Sequence, residues 1–139
     1  MISDINYAVI ELKRLRLPLP NAQVLPSDEL LDSYEKELGF IFPADYRYFL
    51  KEASDSLLNG KDSLRVAFDR DSPRELITNA NEAWRLGVPR DWLPFCEDNG
   101  NYYCLTKLGE VRFWSHDGSS GESWPNLAIW IKKVWIDEE

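Results

Sequence analysis

Cys96, Cys104, His116 and Asp117 are the residues whose types could carry nucleophilic or metal chemistry in this chain of 139 residues. A thiol beside an imidazole can act as a nucleophile, and thiol, imidazole and carboxylate together can hold zinc. The pattern supports neither. The chain has two cysteines and one histidine, and their spacing resembles no zinc motif. A reactive thiol needs cationic surroundings that lower its pKa, whereas these lie in an acidic neighbourhood. The role of small buried hydrophobe fits each cysteine better. A hydrolase built on Cys104 and His116 would require the two side chains to meet. Asp98-Asn99-Gly100-Asn101 has the outline of a calcium loop but lacks its alternating oxygen ligands and distant Glu. Carboxylates are so abundant that no pair stands out as a glycosidase couple, and no glycine loop could cradle a phosphate. No cofactor, metal ligand set or catalytic residue is expected, and the chain does not read as an enzyme.

The elements that position these residues point instead to display. Leu93–Cys96, Tyr102–Leu105 and Val111–Trp114 are strand-like runs, separated by turn signals at Asn99-Gly100 and Lys107-Leu108-Gly109. Asn-Gly tolerates the positive φ of a type I′ turn, so an antiparallel meander is expected with Glu97 and Asp98 at its tip. A two-residue turn sets Cys96 opposite Tyr103 and Cys104 opposite Phe95. The sulfurs then project to opposite faces and cannot pair. Apolar spacing predicts helices over about 3–15, with Ser3 or Asp4 as cap, over 27–38 ending at Gly39, and over 44–53. A strand is expected over 63–68, with Leu64, Val66 and Phe68 alternating. Ser72-Pro73 opens a helix to about Leu86, and a closing helix covers 125–136. The organisation is a single α+β domain: helices first, a small antiparallel sheet, then a closing helix.

The net charge of −8 disfavours nucleic acid as partner, because phosphates draw Lys/Arg surfaces. It suits a basic protein, and it also serves solubility alone. No apolar run approaches the ~20 residues that cross a bilayer. The N-terminus has an early Asp and no basic region like that of a secretory signal. A cytoplasmic protein with free thiols is expected. Trp84, Trp92, Trp114, Trp124, Trp130 and Trp135 mostly fill the core, while Trp114 and Trp124 border the 115–123 loop and are the candidates for exposure.

Four stretches in order resemble the SUKH superfamily, named for fungal cell-wall-assembly regulators of the Smi and Knr type. They are Tyr34 to Leu50, with Leu38-Gly39 and Asp45-Tyr46 before Phe49-Leu50; Leu93 to Leu105, with Pro94-Phe95 and the Asn99-Gly100 hairpin; Val111 to Asp117, ending in His116-Asp117; and Leu127 to Ile131 with Trp130. Two departures stand out: Ser54–Leu58 intervene before Asn59-Gly60, and Leu127 stands where the family favours Phe. The resemblance implies a non-enzymatic binding domain, of which bacterial members often serve as immunity proteins that neutralise a cognate toxin, frequently a nuclease.

An acidic inhibitor can occupy a basic nuclease surface by matching its charge. The expected contact patch combines Glu35, Asp45, Glu97, Asp98 and Asp117 with Trp114. Glu35 and Asp45 have helix-surface and first-turn capping as alternative roles, and Glu97 and Asp98 have turn chemistry. The alternative function is an intracellular regulatory or scaffold module that binds a host protein.

Overall fold

The structure, a computed structural model, describes residues 4–18, 24–118 and 121–139. The expected cap Ser3 and the Ser119-Ser120 part of the loop after Asp117 lie outside the described residues. The architecture is α+β. Helix α1 (Asp4–Leu15) buries Ile5, Ala8, Val9 and Leu12. Helix α2 (Asp28–Leu38) begins where Ser27 Oγ accepts from Leu30 N–H at 3.2 Å. It stops at Gly39, whose φ of 67° is the left-handed conformation that ends a helix readily only with glycine. Pro43 then starts α3 (Ala44–Ala53), which buries Tyr46, Phe49, Leu50 and Ala53.

A two-stranded hairpin, β1 (Leu57–Leu58) and β2 (Lys61–Asp62), turns at Asn59-Gly60. Helix α4 (Leu76–Leu86) leads into an antiparallel sheet of β3 (Leu93–Asp98), β4 (Asn101–Leu105), β5 (Val111–Trp114) and β6 (Ser123–Trp124), in that spatial order. Helix α5 (Leu127–Trp130) runs directly into a π-helix (Ile131–Ile136).

The sheet separates two apolar clusters. Phe95, Cys96, Leu105 and Val111 face the main core, built with α1, α2, α3 and the closing helix around Trp130 and Trp135. Tyr102 and Cys104 face the other way, toward Ala83 and Val88 of α4 and the turn after it. The register departs from a regular ladder at Phe95. Cys96 opposes Tyr103, as expected, but Cys104 opposes Pro94 and not Phe95. One extra residue in β3 forms a bulge, and this lets Phe95 and Cys96 both face the core although they are neighbours. The sulfurs still lie on opposite faces, and both thiols are free and buried.

Three further expectations are corrected. Residues 63–68 do not form a strand. Leu64 N–H donates to Phe95 C=O at 2.8 Å, and Arg65 makes a lone parallel bridge to Glu75. Phe68 is 78% exposed, so alternation of apolar residues there does not track burial. Helix α4 starts at Leu76 rather than after Ser72-Pro73, because the buried Glu75 carboxylate accepts from Ile77 and Thr78 N–H at 2.9 and 2.8 Å and takes over the cap. The closing helix starts at Leu127, where Asn126 Oδ1 accepts from Ile129 N–H at 2.8 Å, and its last part is π-helical, with Asp137 N–H donating to Lys132 C=O.

Candidate functional site

Asn99 and Gly100 have φ of 53° and 87°, so the β3–β4 turn is the tight one the dipeptide implies. Glu97 braces it from both sides. Its Oε2 accepts from Gly100 N–H at 2.7 Å, and its Oε1 accepts from Arg74 Nη1 at 3.0 Å. Arg74 in turn pairs with Asp62 at 3.1 Å, tying the tip to β2. Asn101 fastens the segment after β5 to the same turn. Its Oδ1 accepts from His116 N–H at 3.1 Å and from His116 Nδ1–H at 2.7 Å, which fixes the proton on Nδ1. Ser115 Oγ donates to Asp117 Oδ1 at 2.6 Å. His116 therefore serves as a strut, exposed and hydrogen-bonded to an amide.

Across the sheet, Glu97 opposes Tyr102 and Tyr102 opposes Trp114, so the three lie side by side on the α4 face. The rings of Tyr102 and Trp114 are 6.0 Å apart. Burial, then the charges of Glu97 and Glu82, pushes the Tyr102 phenol up. On the opposite face burial, then Asp98, Cys96 and Glu122, pushes Tyr103 up to about 12. Carboxylates thus flank both faces of this end of the sheet. Trp114 and Trp124 are half-buried, as are Trp84 and Trp92, and only Trp130 and Trp135 are fully enclosed.

Glu97, Asp98, Trp114 and Asp117 gather around the tip. Glu35 and Asp45 do not join them. Glu35 accepts from Phe42 N–H at 2.6 Å and from Arg47 at 3.2 Å, clamping the loop between α2 and α3. Asp45 lines a depression with Leu105, Leu108 and Gly109, at the far end of β4 from the tip. Glu82, Asn101 and Glu122 belong to the tip's surroundings and were not anticipated. Glu82 sits on a helix whose packing against the sheet no local pattern specifies, and Glu122 reaches the tip only through the pairing of β5 with β6.

Cys104 is fully enclosed while His116 is exposed, so no Cys–His couple exists between them. No cluster of three or more His, Cys, Asp or Glu able to hold a metal occurs among the described residues. No helix among them is long and apolar enough to cross a membrane.

The family model SUKH_5, described as SMI1-KNR4 cell-wall, matches residues 5–136. A solved protein structure from Pseudomonas syringae pv. tomato superimposes with a TM-score of 0.86 at 30% sequence identity, covering 95% of this chain and 98% of that one. No curated protein sequence matches.

Proposed function

The chain belongs to the SMI1-KNR4 family, and from that premise we propose that it is an immunity-type protein that neutralises a cognate toxin domain by covering it. The observation that carries the reading is the hairpin tip, where carboxylates flank both faces of a rigid, aromatic-rich strand end. Such a surface suits a basic partner, because complementary charge speeds encounter and half-buried aromatics supply the anchors. Glu97 and Asn101 hold the turn in place, so little ordering entropy is lost on binding.

Asp98, Asp117, Glu122 and Trp114 are the contact residues of this proposal, and Glu97 positions them. Glu35 and Asp45 belong to a different end of the molecule and act in folding or in a separate contact. Inhibition is steric and electrostatic, with no bond made or broken.

Co-expression with the C-terminal domain of a secreted protein encoded beside this gene tests the reading. Growth rescue is expected, and the Asp98→Lys/Glu122→Lys double variant should weaken binding at least tenfold with a reduced salt dependence. Absence of rescue, with capture of a housekeeping protein instead, would favour the regulatory scaffold. Rescue that survives both charge reversals and Trp114→Ala would move the contact surface away from the tip.

A further inference from the structure

A cleft of about 400 Å³ runs between α1 and the closing helix. Ala8 and Ala128 form its floor, and both are small enough for another helix to approach closely. Tyr7 stands at its edge with 60% of its surface exposed, and Ile10, one turn along the same flank, is 59% exposed. The walls carry opposite charge. Asp4 and Glu11 line the α1 side, and Lys132 and Lys133 line the other. Asp4 and Lys133 have no ion-pair partner among the described residues. Glu11 and Lys132 attract one another across the cleft, and each also makes a surface pair, with Arg14 and with Asp137, of a kind that is easily exchanged.

We propose that this cleft seats a second copy of the chain about a two-fold axis, α1 of each protomer lying along the cleft of the other. The charge pattern selects this occupant. A two-fold contact brings each surface against its own equivalent. With one acidic and one basic wall, α1 of one copy faces the lysines of its partner, and the reverse contact repeats the match. Tyr7 becomes the buried anchor on both sides. None of the hairpin-tip residues lines the cleft, so a dimer leaves both tips free.

Sedimentation equilibrium of the full chain, from micromolar to near-millimolar concentration, tests the proposal. The wild type is expected to dimerise, and Tyr7→Glu should raise Kd about tenfold or more. Lys132→Glu/Lys133→Glu should weaken association similarly, and adding Asp4→Lys/Glu11→Lys should restore it, with circular dichroism confirming that each variant is folded. A wild type that stays monomeric throughout would overturn the proposal. So would a dimer indifferent to Tyr7→Glu, or reversal of both walls without recovery.

Discussion

The Tyr34 hydroxyl donates to the Glu75 carboxylate across 41 residues of chain, and both side chains are wholly removed from solvent. The same hydroxyl accepts from Ala67 N–H at 3.1 Å. Glu75 meanwhile caps α4, so one buried polar pair joins α2, the 64–70 segment and α4. Arg70 lies over the Tyr34 ring at 4.4 Å and pairs with Glu37, closing the segment from outside.

Removing the hydroxyl should therefore cost more than one hydrogen bond. Tyr34→Phe keeps the ring and its stacking but strips a donor from a buried carboxylate and an acceptor from Ala67 N–H. Stability should fall by about 2–4 kcal/mol, since each buried group left unsatisfied costs about 1–3 kcal/mol. Urea unfolding checks this. An unchanged midpoint would mean that water replaces the hydroxyl.

Glu75 also sets an acid limit. Burial alone would raise its carboxyl, but donation from Tyr34 and from Thr78 and Ile77 N–H outweighs it and holds the pKa below the ordinary value of 4.5. The unfolded chain then binds the proton first as pH falls. The stabilisation is complete above the ordinary carboxylate value and is lost as pH drops through the lower folded one. Urea midpoints measured from pH 6 downward should show this loss, and in Glu75→Gln the acid slope should be shallower.

Glu75 also marks where sequence reasoning stopped working. Helices α2 and α3 were legible because Ser27, Gly39 and Pro43 are local signals whose effect needs no distant partner. The tip was legible for the same reason, since Asn99-Gly100 dictates its own turn. Glutamate is not a habitual cap, and Ser72-Pro73 is a stronger local signal. The choice of Glu75 depends on Tyr34, which is remote in sequence. Leu64, Val66 and Phe68 alternate like a strand, but the segment's backbone bonds are scattered, from Leu64 to Phe95 and between Arg65 and the Arg74 and Leu76 backbone, so no ladder forms. The bulge at Phe95 likewise answers the core's demand for two adjacent side chains. In the candidate site, types and turn were readable, but the separation of Glu35 and Asp45 from the tip followed from tertiary packing alone.

Glu35 and Asp98 should accordingly respond in opposite ways to truncation. Glu35→Ala leaves Phe42 N–H without its acceptor and takes one carboxylate from Arg47, which keeps Asp28 and Asp32, and should destabilise by about 1–3 kcal/mol. Its effect on a bound partner should come only through unfolding. Asp98→Ala, half-buried at the end of β3 and accepting only from the exposed Asn99 amide, should change stability by less than about 0.5 kcal/mol. Thermal unfolding of the two variants side by side checks the contrast, and equal losses would place Asp98 in the structural framework.

The cysteines give the sharpest test of the non-catalytic reading. Burial pushes the Cys96 thiol up to about 12 and raises Cys104 as well. Thiolate is the reactive form, and neither sulfur is accessible. A neutral-pH thiol reagent should therefore modify neither cysteine in the folded chain and both after denaturation. Labelling that does occur should follow the population of the opened form, and the rate of unfolding once the reagent outpaces reclosing. A nucleophilic cysteine would behave otherwise, with fast single-site modification of the native protein that rises with pH near neutrality. Cys104→Ala removes a sulfur from the cluster with Tyr102 and Ala83, where a small cavity should cost about 1 kcal/mol. Toxin rescue should remain intact in that variant, whereas a Cys104-dependent hydrolase would lose its function entirely.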